Sequence, residues 1–411
     1  MRASYPTYKS TSIPWLPEMP EHWDLIGLNL LFRDNKNKNK GMVESLILSL
    51  SYGNIIRKQK EENYGLIPES FETYQIVEPG YIVLRLTDLQ NDKRSLRVGY
   101  VKEKGIITSA YTGLIPNRAD SRYYYYLLHY LDIRKHFYSL GGGVRQSSDY
   151  NEIKKTKVPL PPHPEQTVIA NYLDAKTEQI NRFIEKKEKL IRSLREKIDV
   201  IVQSVEGEPL NESKFWPTIP QSWRIEKAKR IFSEIKIKNQ PTEPLLAATQ
   251  DRGVLPKDLC TENFVSPSGD LSGLKLVCED DYVISLRSFQ GGIEYSPYRG
   301  IISPAYTIIR LKEDYNNPLL IQYYKYLFKT PQFISLLNTA ITGIRDGKNV
   351  NWVDFAELPL PIPSVEHLKL MVEDFNRYEK LVIVFEKEKR KLEEFKNSLI
   401  AEVVTGKIKV A

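Results

Sequence analysis

The 411-residue sequence lacks most features of secreted, membrane and metal-dependent proteins. Its two cysteines, Cys260 and Cys278, cannot staple a chain of this length with disulfides, and such scarcity suits a reducing cytoplasm. The N-terminus "MRASYPTYKS" has no apolar stretch, and no apolar run reaches the ~18 residues of a spanning helix, so we expect neither a signal peptide nor contact with a membrane. Five scattered histidines show no metal-site spacing, so we expect no metal.

Catalytic signatures are missing as well. The closest approach to a phosphate-binding loop, "GIRDGKN" (343–349), is one residue short and ends in Asn. The sequence has no Asn-Pro-Pro-aromatic stretch of the kind expected in an amino-methyltransferase. The Glu-x-Lys pair in "SEIKIK" (233–238) has no preceding Pro-Asp of nuclease type. These absences favour a recognition protein that is not an enzyme by itself, and we expect no cofactor in this chain.

The sequence does contain an internal repeat. Four pairs of segments recur in the same order, at offsets of 195 to 201 residues. The pairs are "WLPEMPEHW" (15–23) with "FWPTIPQSW" (215–223), "GYIVLRL" (80–86) with "DYVISLR" (281–287), "GIITSAY" (105–111) with "GIISPAY" (300–306), and "VPLPPHP" (158–164) with "LPLPIPS" (358–364). This period is too long for a solenoid and indicates two copies of a whole domain with its connector. We expect Trp23 and Trp223 to be core anchors.

A long charged segment follows each proline-rich stretch. No proline or glycine occurs between Pro164 and Gly207, which is typical of one long helix. In each segment, ten positions alternate three and four residues apart, and eight of the ten are apolar. The predicted helix seam is Leu173, Ile180, Ile184, Ile191, Leu194, Ile198, Ile201, Met371, Phe375, Val382, Phe385, Leu392 and Leu399. This spacing predicts two coiled-coil helices that pair with each other. The alternative is a surface helix, but about 40 residues at ~1.5 Å each exceed the width of a domain.

The remaining sequence mixes strand and helix patterns. Segments 80–94 and 281–292 are typical of a strand that runs into a polar loop, whereas 121–140 and 318–337 have the aromatic faces of helices. We therefore predict an α+β fold with two similar globular domains, two long antiparallel coiled-coil helices and a pseudo-twofold repeat. The predicted boundaries are 1–157 for the first domain, 158–208 for the first helix, 209–357 for the second domain and 358–411 for the second helix.

The charge distribution favours the globular parts as the surface for an anionic partner. The chain has a net charge of +7, whereas 164–206 carries eight basic and eight acidic residues and 364–411 carries ten and nine. Polar loops follow the strands and precede the proline segments. Their side chains suit hydrogen bonds to base edges and phosphates. The candidate DNA-binding residues are Arg85, Thr87, Asp88, Gln90, Lys93, Arg94, Arg145, Gln146, Arg287, Gln290, Arg345, Lys348 and Asn349. The alternative for each is a solvated charge or a local ion pair.

Together these features resemble the specificity subunit of type I restriction–modification systems, over the whole chain. The resemblance rests on Pro17–Trp23 with Pro217–Trp223, on "VPLPPHPEQ" (158–166) with "LPLPIPS" (358–364), on "LIAEVVTGKI" (399–408) with its looser echo "VIVQSVEGE" (200–208), and on the strand–loop patterns "VLRLTDLQNDKR" (83–94) and "ISLRSFQGG" (284–292). The second copy lacks the Pro-Glu-Gln of the first, so we expect the second helix to begin less sharply.

The resemblance implies a non-catalytic, cytoplasmic reader of double-stranded DNA, in which two target-recognition domains read an asymmetric, bipartite target. It also implies two modification subunits that bind S-adenosylmethionine and methylate adenine. Two restriction (motor–nuclease) subunits, which use ATP and Mg²⁺, would complete the restriction enzyme. The alternatives are a structural coiled-coil scaffold with protein-binding heads and a nuclease with a diverged site.

Overall fold

The computed structural model describes residues 4–58, 70–89, 95–140, 147–205, 208–211, 213–250, 252–260, 269–339 and 350–410. The candidate residues Gln90, Lys93, Arg94, Arg145, Gln146, Arg345, Lys348 and Asn349 lie outside these ranges. The chain divides into two compact units: unit one is Met1–Lys186 with Glu388–Ala411, and unit two is Lys187–Lys387. Each unit therefore combines one globular part with the beginning of one long helix and the end of the other. The predicted domain boundaries stay predictions.

Unit one contains twelve described strands, three short helices and part of each long helix. Its strands are β1 (Tyr8–Ile13), β2 (Leu16–Pro20), β3 (Asp24–Gly27), β4 (Phe32–Asp34), β5 (Leu48–Ser51), β6 (Asn54–Arg57), β7 (Gln75–Val77), β8 (Ile82–Leu84), β9 (Val98–Tyr100), β10 (Gly105–Ile107), β11 (Thr112–Pro116) and β12 (Lys157–Leu160). Its helices are α1 (Leu28–Leu31), α2 (Ser121–Ile133) and α3 (Tyr150–Ile153), and α4 (His163–Ile201) begins here.

Unit two repeats this plan. Its strands are β13 (Arg224–Lys227), β14 (Phe232–Ile235), β15 (Leu246–Thr249), β16 (Gly253–Pro256), β17 (Lys275–Val277), β18 (Tyr282–Ile284), β19 (Glu294–Tyr295), β20 (Gly300–Ile302), β21 (Thr307–Leu311) and β22 (Pro359–Ile362). Its helices are α5 (Ala228–Ile231), α6 (Ser288–Gly291), α7 (Pro318–Leu327), α8 (Pro331–Thr339) and α9 (Trp352–Ala356), and α10 (Val365–Val404) begins here.

Each unit has a four-stranded antiparallel sheet with the same strand order. The order is β4-β11-β8-β9 in unit one and β14-β21-β18-β19 in unit two. One inner strand of each sheet, β8 ("IVL") or β18 ("YVI"), is short and apolar, and all of its residues are buried. The repeat predicted from sequence is therefore a repeat of topology, and the α+β fold with two similar units and two long helices is confirmed.

The tryptophans of the repeat are core anchors, as predicted. Trp23 is fully buried and Trp223 is 3 % exposed. Trp23 packs edge-on against Tyr123, and Trp223 packs in the same way against Tyr323. Such perpendicular aromatic pairs stabilise a core beyond the area they bury.

Both predicted aromatic helices are shorter than expected. Helix α2 ends at Ile133, because Lys135 adopts a left-handed backbone conformation (φ 60°) before a 3₁₀ turn at His136–Ser139. Segment 318–337 forms two helices because Pro331 begins a new helix, the position where proline is favoured, rather than continuing α7.

The proline segments are strands rather than only spacers before a helix. Strand β12 pairs with β3, and β22 pairs with β13, in matching antiparallel registers. Two-stranded ribbons tolerate proline because each strand is an edge. The hydroxyls of Tyr124 and Tyr324 donate to the carbonyl oxygens of Pro159 and Pro361, each at 3.1 Å.

The first residues of α4 connect the helix to unit one. The Glu165 carboxylate accepts from the Tyr5 hydroxyl at 2.5 Å and from the Trp23 indole at 3.2 Å. The Gln166 amide donates to the Pro161 carbonyl and accepts from the Asp120 backbone N–H. The Pro-Glu-Gln motif therefore fixes where the helix leaves the globular part.

Helix α10 uses a different set of contacts. Ser364 caps it, because its hydroxyl accepts from the His367 N–H at 3.2 Å and its carbonyl accepts from the Leu368 N–H at 2.9 Å. The indole of Trp223 donates to His367 Nδ1 at 2.9 Å. The expectation of a less sharp start is therefore wrong: Ser364 and His367 replace the missing motif.

The long helices pack against each other within each unit. In unit one, Lys396 donates to the Asn181 side chain at 3.0 Å, and Leu173, Ile180 and Leu399 share the core. In unit two, the Lys187 amine lies 4.4 Å from the Phe385 ring centroid and the Lys197 amine lies 6.0 Å from that of Tyr378, so the helices run antiparallel.

The structure also places the predicted seam residues. The buried ones are Leu173, Ile180, Ile184, Ile191, Ile198, Met371, Phe375 and Leu399. The half-buried ones are Leu194, Ile201, Val382, Phe385 and Leu392. Within the described ranges, no helix is both long and apolar enough to span a membrane.

Candidate nucleic-acid interface

The segment after β8 carries three of the predicted DNA-binding residues at the surface of unit one. Leu86 and Leu89 are buried and hold the turn on the core. Arg85, Thr87 and Asp88 are half-buried, and Asp88 takes a left-handed conformation (φ 57°) that reverses the chain. The turn therefore presents polar side chains from a backbone that two leucines anchor.

A second predicted loop meets this turn. The backbone N–H of Ser148 donates to the Leu86 carbonyl at 2.8 Å. Two residues later, α3 begins with Asp149 as its cap. The structure thus brings the end of the 141–151 segment beside the 85–89 turn, although about 60 residues separate them in sequence. The described ends of the two polar segments, at Leu86 and Ser148, therefore lie side by side.

The equivalent segment in unit two is helical. After β18, Arg287 precedes the single-turn helix α6. Arg287 and Gln290 are both exposed and lie three positions apart, which places them on one side of the turn. Gly292 (φ 78°) ends α6, and a Cβ at this position would lie 2.0 Å from the Phe328 carbonyl oxygen, so only glycine fits. The two units therefore present different polar surfaces from corresponding strands.

Sequence reasoning missed two cations that contact the backbone of these segments. In unit one, the fully buried Arg97 donates to the carbonyl oxygens of Thr87 (2.8 Å) and Arg85 (3.1 Å). In unit two, Lys329 donates to the Gly291 carbonyl oxygen at 3.0 Å and pairs with buried Glu294 at 2.6 Å. The sequence gives only a weak cue: Arg97 lies between Leu96 and Val98, and Lys329 follows Leu327 and Phe328.

Unit one also has a groove with unusual electrostatics. Its volume is about 880 Å³, and its lining includes His129, Lys396 and Arg122. Burial, followed by repulsion from Lys396, lowers the pKa of His129 to about 4, so its imidazole is neutral at pH 7. Burial likewise lowers the pKa of Lys396. Among the residues that the structure describes, no group of three or more His, Cys, Asp or Glu could hold a metal ion.

Comparison with known proteins gives three findings. Residues 31–192 match the family described as "Type I restriction modification DNA specificity domain". The type I restriction enzyme MjaX specificity subunit of Methanocaldococcus jannaschii, a provisionally named protein, is 25 % identical over 313 residues, or 72 % of this chain and 69 % of the relative.

The third finding concerns the fold. A solved chain from work on complex assembly and conformational transition of the type I R-M system has a TM-score of 0.58 at 12 % identity, covering 94 % of this chain and 98 % of that one. The family domain covers the polar turn after β8 and the first residues of α4. The family match and this fold agree with the resemblance drawn from the repeated segments, which is confirmed.

Proposed function

We propose that this chain, whose residues 31–192 match the type I restriction–modification DNA specificity domain, is a specificity subunit that directs partner subunits to an asymmetric, bipartite DNA target. Unit one reads one half-site and unit two reads the other. Modification subunits then methylate adenine, and restriction subunits, when added, cleave DNA that lacks the methyl mark. The observation that carries this proposal is the DNA specificity domain at residues 31–192, together with the same sheet order in unit two.

The half-sites differ because the two reading surfaces differ. Unit one offers Arg85, Thr87 and Asp88 on a turn, whereas unit two offers Arg287 and Gln290 on a helical turn. Arginine pairs with guanine and glutamine with adenine in the major groove, at ~1–3 kcal/mol of discrimination per good pair. Other lysines and arginines position the protein on phosphates without reading sequence.

The chemistry belongs to the partners. S-adenosylmethionine binds the modification subunits, and ATP and Mg²⁺ serve the restriction subunits. We expect this chain to supply neither a catalytic group nor a metal site. It acts on DNA in the prokaryotic cytoplasm, without a membrane.

The long helices offer the docking surface for two modification subunits. Three apolar side chains of α10 in unit two, Leu381, Ile383 and Val384, are 38 %, 59 % and 48 % exposed. Leu381 and Val384 line a shallow hollow of about 620 Å³. In unit one, Phe183 and Phe395 are 48 % and 46 % exposed. The grouping of Leu381 and Val384 in one hollow is what supports a protein-binding surface on these helices.

Co-expression with the modification subunit from the same host tests the proposal. We expect the two proteins to co-purify and to bind DNA with strong salt dependence, because phosphate contacts release counterions. The double variant L381E/V384E should lose the modification subunit, whereas K380A in the same hollow should keep it. Co-purification without DNA affinity would favour the scaffold alternative, and DNA cleavage by this chain alone with Mg²⁺ would favour a nuclease.

A further inference from the structure

Arg97 lies fully buried behind the polar turn of unit one. It precedes β9, and its backbone N–H donates to the buried Asp132 carboxylate of α2 at 2.6 Å. Its guanidinium lies 5.1 Å from the Tyr138 ring centroid and donates to the Tyr138 hydroxyl at 3.2 Å. Core elements therefore fix both the backbone and the side chain of Arg97.

The donors of Arg97 reach a compact set of backbone acceptors. Nη1 donates to the carbonyl oxygens of Arg85 and Thr87, and Nη2 donates to that of Asp88 at 3.2 Å. The Arg85 N–H in turn donates to the Arg97 carbonyl at 2.9 Å. One side chain can bind three carbonyl oxygens within four residues because a guanidinium presents several N–H donors in a rigid fork. Arg97 thus fixes the backbone conformation at Arg85, Thr87 and Asp88, three of the predicted DNA-binding residues.

In unit two a lysine, rather than an arginine, binds the backbone of the polar segment. Lys329 comes from the connection between α7 and α8, and its amine donates to the carbonyl oxygens of Gly291 (3.0 Å) and Gln250 (3.3 Å). The Glu294 carboxylate, 2.6 Å from the same amine, holds it in place. The Asn338 amide adds a hydrogen bond to the Phe289 carbonyl at 2.8 Å. Helix α6, between Arg287 and Gly292, is therefore also held through its carbonyls.

We propose that Arg97 and Lys329 are positioning residues for DNA specificity, each controlling the base preference of its own half-site without contacting a base. This proposal rests on the proposed function and deepens it. Base discrimination needs side chains placed within fractions of an ångström, and that placement follows from the backbone conformation of the segment. Charge-assisted hydrogen bonds to carbonyl oxygens are stronger than neutral ones, so they keep the segment in that conformation when DNA binds.

The test uses the complete complex with its modification subunits, and genome-wide mapping of methylated adenines. Arg97→Met should relax preference at one or more positions of the unit-one half-site by about tenfold, the loss of one good base contact. The other half-site should stay unchanged and serves as an internal control. Lys329→Met should give the reciprocal pattern. Arg97→Lys should recover part of the preference, because an ammonium can satisfy some of the three carbonyls.

A control variant and the pattern of lost methylation decide between this role and a merely structural one. Arg134→Met, an exposed cation of the same unit, should leave both half-sites unchanged. A purely structural Arg97 would lower methylation at all sites without altering base preference, and that result would overturn the proposal. If Arg97→Met does not fold, Arg97→Lys and Lys329→Met still decide it. A wild-type complex that methylates no bipartite motif would instead refute the proposed function.

Discussion

Lengthening both long helices should lengthen the unread spacer of the DNA target. The insertion points are Lys186/Lys187 in α4 and Lys387/Glu388 in α10, where the chain passes between units, so contacts inside each unit are kept. Seven residues preserve the heptad repeat and add ~10 Å of helix. At ~3.4 Å per base pair, the spacer should grow by about three base pairs.

The assay is methylome mapping with the doubly extended protein. Three added base pairs also rotate one half-site relative to the other by about 100° about the DNA axis, at ~10.5 base pairs per turn. We therefore expect the rate of methylation to fall while the motif can still be identified. Insertion into α4 alone is the matched control. It leaves seven unpaired residues and should lower stability without giving a defined longer spacer. An unchanged spacer with both insertions would refute the view that the helix pair sets it.

Three further predictions concern single residues. Glu165→Ala should lower the free energy of unfolding of unit one by about 3 kcal/mol, because the Tyr5 and Trp23 donors lose their acceptor. Glu165→Gln should lower it less. Equal denaturation midpoints for the two variants would contradict this. His129 has a folded-state pKa of about 4 against 6.5 unfolded, so stability should be full above pH 6.5 and fall by about 3 kcal/mol as the pH drops to 4. His129→Phe should reduce that slope; identical slopes for the variant and the unmodified chain in urea titrations would refute it. Arg287→Ala should relax one position of the unit-two half-site, measured by methylome mapping; equal weakening at every sequence would make Arg287 a phosphate contact.

Local patterns predicted much of the fold. Absence of proline and glycine, with apolar spacing of three and four, gave two long helices, and the structure has them at His163–Ile201 and Val365–Val404. The repeat of short motifs predicted the repeat of sheet topology. Each of these properties depends on residues near one another in sequence, or on one segment resembling another.

Contacts over long sequence distances were not predictable in this way. Glu165 looks like an ordinary helix-start carboxylate, yet it accepts hydrogen bonds from residues more than 140 positions away. Arg97 looks like a solvated charge because its acceptors are backbone carbonyls, which every residue has. The sequence prediction places the proline segments in the helix segments 158–208 and 358–411, whereas they form strands. Pairing of β12 with β3 depends on which strands meet, and one sequence does not reveal that.

Methylome sequencing of a host that carries this chain and its modification subunit tests the central claim most directly. We predict methylated adenines in one motif with two different half-sites separated by an unread spacer. Replacing residues 1–157 with another recognition domain should change one half-site and leave the other. A contiguous or palindromic motif, or a change in both halves after that replacement, would contradict two independent readers on one scaffold.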